Sequence, residues 1–296
     1  MALKGSAPRA VKVALLLYMA VSAPALADTS FSGLKNGQHL KDKPAQRIIT
    51  IVPHATELLF AIGAGSQVIA TDEASDYPAG AKTLPKVANY RSLNTERILA
   101  LQPDLIVAWG AAQQQAVQPL VQLGIAVFLS EPATFKDLST ELKKLGELTG
   151  HSTQAAKVIN DYEHALAQLS ATFEQRRPVR VFYQVAEVPL MSANNSTWMG
   201  QAVRMCGGEN IMAQSLAPYP QVNVEQVIAQ NPEAIVGASA AELKHWQQWP
   251  MLSAVQNQHL LSIDANLLHR FGPRITQGIT QLCQQLEAVR SASSID

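Results

Sequence analysis

The chain has 296 residues, of which 47% are hydrophobic and 16% charged, and its formal net charge is zero. That balance suits a globular protein with sizeable cores. With no Lys/Arg block and no net positive charge, it excludes a nucleic-acid face.

The N-terminus reads as a processing signal. Lys4, Arg9 and Lys12 precede the apolar run Val13–Val21, which is too short to span a bilayer, and Ala25-Leu26-Ala27 supplies a small-x-small cleavage site. Residues 1–27 are expected to be a signal peptide, with a mature start at Asp28 and export to the periplasm. No cysteine near the cleavage site would carry a lipid, and no direct membrane insertion is expected. Residues 28–45 read as a flexible lead-in.

From there strands and helices alternate. "RIITIV" (47–52) is a buried-type strand, followed by a helix over 55–61 and the strand "SQVIATD". A helix is expected over 94–101, a strand over 104–109, a helix over 112–123, a strand over 125–129 and a helix over 134–148. Such alternation argues for a mostly parallel sheet covered on both faces. After Gly150, Ser152 or Thr153 can cap a new helix. Val158, Tyr162, Ala165, Leu169 and Phe173 then recur at three-to-four spacing until "RRP" (176–178). "VRVFYQV" (179–185) opens a second series, with strands near 234–237 and 259–263 and a closing helix over about 273–290. The organisation expected is an N-terminal lobe over 46–150, a connecting helix over 152–176 and a C-terminal lobe over 178–296. The fold class is α/β: two Rossmann-like α/β lobes joined by one long α-helix, with the ligand cleft between them near strand C-termini.

One unit occurs twice: "NTERILALQPDLIVA" (94–108) and "NVEQVIAQNPEAIVG" (223–237). In each, Asn can cap a helix, Glu sits in the first turn where the dipole favours it, Pro ends the helix and a β-branched strand follows. The repeat falls once per lobe. Of the two cysteines, Cys206 and Cys283, an exported chain with an even count favours a disulfide over metal ligation.

With these segments in place, the sequence resembles periplasmic solute-binding proteins of the helical-backbone class, which serve ABC importers of metal chelates, and within them the cobalamin-binding branch. The carrying segments are "RIITIVPHATELLFAIGAG", "SDYP", "NTERILALQPDLIVAW", "CGGENI", "PYPQVNVEQVIAQNPEAIV" and "RFGPRI", spread over residues 46–288. The resemblance implies cobalamin as transported ligand rather than cofactor, no catalysis, and a chain that is monomeric until it docks on the importer's membrane subunits. It assigns that docking to Glu96 and Glu225; the residues alone also allow both to serve only their helix dipoles.

The resemblance further implies a ligand pocket formed by Tyr90, Trp109, Tyr219 and the segment Asn266, Leu267, Leu268, His269, Arg270. Two of the family's Trp positions are Tyr here. The family has a Tyr where this chain has Ala74, an aromatic where it has Val185, and an Asp where it has Asn266, with Asp264 close by. His54 and His269 could face the cleft and reach a metal or an amide, or could be solvated or capping residues. Trp246 and Trp249 suit a rim or a core role equally, and Phe271 reads as packing.

Rival readings are a siderophore- or haem-binding protein of the same architecture, which calls for cleft Arg or Lys beyond Arg91 and Arg270, and an exported enzyme. For the latter no G-x-S-x-G, H-E-x-x-H, P-loop or dinucleotide glycine pattern is present.

Overall fold

The computed structural model describes Leu34–Lys35 and residues 43–292. The expected signal peptide and mature start lie outside these residues. Two sheets organise the chain. The first contains β1 (Leu34–Lys35), β2 (Ile48–Thr50), β3 (Val68–Asp72), β4 (Lys86–Ala88), β5 (Leu105–Trp109) and β6 (Ala126–Ser130). Its order is β1-β6-β5-β2-β3-β4, parallel throughout except for β1. The second contains β7 (Val179–Ala186), β8 (Met191–Ser192), β9 (Gly208–Asn210), β10 (Ala234–Gly237) and β11 (Leu260–Ser262). It runs β11-β10-β7-β8 with β9 also on β7, and only β8 is antiparallel.

Helices cover both sheets. In the first lobe these are α1 (Pro53–Ala61), α2 (Ala79–Lys82), α3 (Thr95–Ala100), α4 (Gly110–Gln122) and α5 (Phe135–Thr149). The long helix α6 (Ser152–Phe173) follows. The second lobe has α7 (Trp198–Met205), α8 (Val224–Gln230), α9 (Ala240–Leu243), α10 (Ser253–Gln256), α11 (Ala265–Leu268) and α12 (Ile275–Ala292). Alternating strands and helices therefore give the two-lobed α/β fold. Three edge elements, β1, β8 and β9, are too short to leave a periodic signal.

At 22 residues, α6 spans roughly 33 Å. Its buried face, Ala155, Tyr162 and Leu166, belongs to one core that also takes in Leu58, Leu142, Val181 and Leu286. Among the described residues no helix is long and apolar enough to cross a membrane. Cys206 and Cys283 are bonded, tying α7 to α12.

The repeat has a structural meaning. Asn94 accepts from Arg97 N at 3.0 Å and Asn223 from Gln226 N at 2.8 Å, so both cap their helices. Both helices end on a non-glycine residue with positive φ directly before the proline, Gln102 at 47° and Asn231 at 41°. The next carboxylate then binds the start of the neighbouring strand. Asp104 accepts from the backbone N–H of Gln46 (2.7 Å) and Arg47 (2.9 Å), and Glu233 accepts from that of Arg180 (3.0 Å). One short sequence thus builds a helix, a reversal and the lateral registration of two strands.

Candidate functional site

A cavity of about 550 Å³ lies between the lobes. The first lobe supplies residues just beyond strand C-termini: Val52, Pro53 and His54 after β2, Trp109 at the end of β5, and Glu131, Pro132 and Ala133 after β6. Parallel sheets present ligands there because successive loops diverge at that edge. The second lobe supplies Ser196, Thr197 and Trp198 at the start of α7, then Pro218 and Tyr219, and Ala265, Asn266, His269, Arg270 and Phe271 around α11.

The walls are aromatic. Trp198 stacks on Phe271 with centroids 4.8 Å apart and planes within 3°, and Tyr219 meets Trp198 edge-on at 6.3 Å. The indole N–H of Trp198 donates to the Leu268 carbonyl at 2.9 Å, which fixes the ring. Across the cavity, Trp109 is 47% exposed and approaches His54 edge-on at 6.4 Å. Its backbone N–H donates to Gln113 Oε1 (2.7 Å), whose amide donates to the Ile51 carbonyl (2.9 Å), so the ends of β5 and β2 are tied together. Flat aromatic faces with few polar groups suit a large planar ligand.

Two polar networks flank these walls. The first joins the lobes. Glu57, buried in α1, accepts from Arg270 Nη1 (3.0 Å) and from Arg274 Nε (2.8 Å) and Nη2 (2.7 Å). Arg270 also donates to Asp76 (2.7 Å), and this hydrogen bond holds the Asp76 carboxyl below its ordinary range. The Arg274 guanidinium lies 3.8 Å over the Tyr77 ring.

The second network runs inward from the cavity. His54 Nε2 is 2.7 Å from Ser130 Oγ, Ser130 Oγ donates to Glu141 Oε2, and Glu141 Oε1 accepts from the Glu131 backbone N–H at 2.7 Å. Burial pushes the Glu141 carboxyl up to about 7, and burial reinforced by the Arg270 charge pulls His54 down to about 4. On the opposite wall His269 Nε2 meets Tyr183 Oη at 3.1 Å, and burial lowers the pKa of the imidazole.

Of the positions expected to contact ligand, Trp109, Tyr219, Asn266, His269 and Arg270 line the cavity together. Four do not. Tyr90 is 87% exposed and packs its ring under Arg91, 5.0 Å away. Ala74 contributes its carbonyl to Arg270 Nη2 at 3.4 Å. Leu268 is fully buried, and Leu267 turns its backbone toward Gly278. Val185 packs against the main core instead of the cavity. Trp246 is a core residue whose indole donates to Gln184 Oε1 at 2.7 Å, with Trp249 packed on it at 5.4 Å. Phe271 forms part of the wall.

Sequence reasoning missed Trp198, Thr197 and the Pro132-Ala133 turn, which carry no local signature, and it missed Glu57. The signal for Glu57 was available: it is a carboxylate among the buried Ala55, Leu58 and Leu59 of α1, and such a charge requires a partner.

The sequence profile described as periplasmic binding protein matches residues 48–267. The vitamin B12-binding protein of Vibrio parahaemolyticus is 35% identical over 255 residues, covering 85% of this chain and 93% of that protein. Among solved structures, the periplasmic vitamin B12 binding protein BtuF of Vibrio cholerae is similar with a TM-score of 0.75 and 35% identity, over 83% of this chain and 98% of that one. The periplasmic haem binding protein HutB of Vibrio cholerae shares the fold at a TM-score of 0.73 and 23% identity, over 81% of this chain and 98% of that one.

Proposed function

This chain belongs to the periplasmic binding protein family, and from that premise we propose that it captures cobalamin between its lobes in the periplasm and delivers it to an ABC importer. The observation that carries the reading is the cavity itself, lined by Trp109 from one lobe and by the Trp198–Phe271 stack and Tyr219 from the other. A flat corrin ring suits a space between aromatic side chains, and Ser196 and Asn266 offer polar groups to its amide side chains. The protein binds and releases its cargo and is a solute-binding protein, not an enzyme.

Charge favours a near-neutral ligand over an anionic ferric chelate. Among the described residues that line the cavity, Arg270 is the only permanent cation, and Glu57 and Asp76 already engage it. Delivery rests on Glu96 and Glu225. Both are exposed in the first turns of α3 and α8, one per lobe, where they can meet cations on two membrane subunits and set orientation and association rate. The chain is proposed to reach the importer as a monomer.

Calorimetric titration of the mature chain with cyanocobalamin tests the reading. Saturable one-to-one binding supports it. Absence of binding sinks it, and haem and ferric siderophores become the next ligands to titrate.

A further inference from the structure

The following rests on the reading above, because it names how the same cavity meets the metal of its cargo. Two imidazoles line the cavity from opposite lobes, His54 in the first turn of α1 and His269 directly after α11. In each ring Nε2 is held by a protein hydroxyl, Ser130 for His54 and Tyr183 for His269. The other nitrogen, Nδ1, makes no hydrogen bond among the described residues, and in neither ring is it sealed from solvent.

For His54 the chain of donors fixes the tautomer once Glu141 is ionised. Ser130 Oγ has one proton, which goes to the Glu141 carboxylate. Toward His54, Oγ can then only accept, so Nε2 carries the ring proton and Nδ1 keeps its lone pair. Metal-ligating histidines are held in this way, the second nitrogen donating to a protein oxygen that orients the ring. On the alkaline side of neutrality an imidazole is neutral by its ordinary pKa alone. The Tyr183 hydroxyl can donate or accept, so the same argument does not fix His269. Among the described residues no group of three or more His, Cys, Asp or Glu could hold a bare ion. A single poised imidazole beside aromatic walls suits a metal whose equatorial positions a macrocycle already fills.

We propose that His54 Nδ1 is an axial ligand for the cobalt of corrinoids that enter the cavity carrying an exchangeable water on the metal. The Nδ1 lone pair forms a cobalt–nitrogen bond, a cobalt–water bond breaks, and the water leaves neutral; nothing is oxidised or reduced. His54 is then a specificity residue that favours corrinoids with an open axial position over those whose axial positions are filled. Ser130 and Glu141 are positioning residues that act through it.

The test is visible absorption of diaquocobinamide, which has exchangeable water on cobalt, mixed with the mature chain on the alkaline side of neutrality, where Glu141 is ionised. Dicyanocobinamide, with both axial positions filled, controls for the cavity's effect on the spectrum. The expected result is a band shift with diaquocobinamide and none with dicyanocobinamide. The shift is lost in His54→Ala and His54→Gln and kept in His164→Ala, an exposed imidazole on α6 outside the cavity. Ser130→Ala weakens diaquocobinamide binding by about 10- to 100-fold. A cooperative thermal transition for each variant establishes that it folds. A parallel cyanocobalamin titration separates the two readings. If cyanocobalamin binds and no shift appears, His54 coordination is wrong and cobalamin capture stands. A shift that survives both His54 substitutions overturns the assignment as well. If a His54-dependent shift appears while cyanocobalamin does not bind, coordination stands and capture of the vitamin fails. If neither appears, both fail.

Discussion

Glu57 and Arg274 form a two-point ion pair, Nε to Oε2 at 2.8 Å and Nη2 to Oε1 at 2.7 Å, between a buried carboxylate of one lobe and a guanidinium of the other. Arg270 shares the same carboxylate. Removing one member of a buried ionic cluster leaves the others uncompensated, which costs far more than the pair contributes net. Glu57→Gln keeps the shape and removes the charge. It is expected to destabilise the fold by about 3 kcal/mol, read as a lower urea midpoint. A midpoint unchanged from wild type refutes the cluster's structural role.

Stability against pH carries two opposed contributions. The Glu141 carboxyl is raised from 4.5 to about 7, so the folded chain holds the extra proton between these values. Its stabilising contribution is full below 4.5 and is lost as pH rises through 7. His54 is lowered from 6.5 to about 4, so its contribution is full above 6.5 and is lost as pH falls through 4. Each amounts to something on the order of 3 kcal/mol. They offset each other between 4.5 and 6.5. Glu141→Gln removes one side of that balance, so the variant should lose stability on acidification across this window more steeply than wild type. Parallel slopes in urea titrations of the two proteins contradict the assignment.

The wall residues and the exposed Tyr90 make a sharp comparison. Trp198→Ala removes the face that stacks on Phe271 and is expected to weaken cyanocobalamin binding by about 5- to 30-fold, in line with a loss of about 1 to 2 kcal/mol for a buried aromatic contact. Tyr90→Ala, outside the cavity, should leave the affinity unchanged. Calorimetry that gives the reverse order relocates the site.

Charge reversal at Glu96 and Glu225 together is expected to abolish cobalamin uptake in cells while the purified chain still binds ligand. Uptake that persists shows that the transporter contacts lie elsewhere.

The disulfide closes a loop with a sequence separation of 77. Replacing both Cys206 and Cys283 by Ala frees the unfolded chain and should cost roughly 4 kcal/mol by loop-closure entropy, measured from urea curves. A cost near zero places the bond outside the stability of the fold.

The alternation of strands and helices was legible because buried parallel strands and amphipathic helices each leave a period in the chain, as at Leu105–Trp109 and along Val158–Phe173. Five of the wall positions were legible through family resemblance, among them Trp109 and Arg270. What escaped is non-local. Glu57 and Arg274 are 217 residues apart, and His54 and Ser130 are 76 apart, so no window contains both partners. Trp198 follows β8, a two-residue strand with no periodic signal of its own, and its place in the wall depends on the Leu268 carbonyl and the Phe271 ring.

The doubled helix-reversal-strand unit has one asymmetry of consequence. In the first lobe it begins with Glu96 at the surface and the residue directly after it is Trp109 in the cavity wall; in the second it begins with Glu225 and the residue directly after it is Ala238, which does not line the cavity. Asp104 ties the first copy laterally, through two backbone N–H groups, to the chain entering β2, so the strand that carries the Trp109 indole is held at its start by its neighbour. If Glu96 docks on a membrane subunit as proposed, a force on it enters the lobe through α3, whose following strand β5 ends on a residue of the cavity wall, whereas a force on Glu225 enters through α8, whose following strand β10 supplies no residue of the wall.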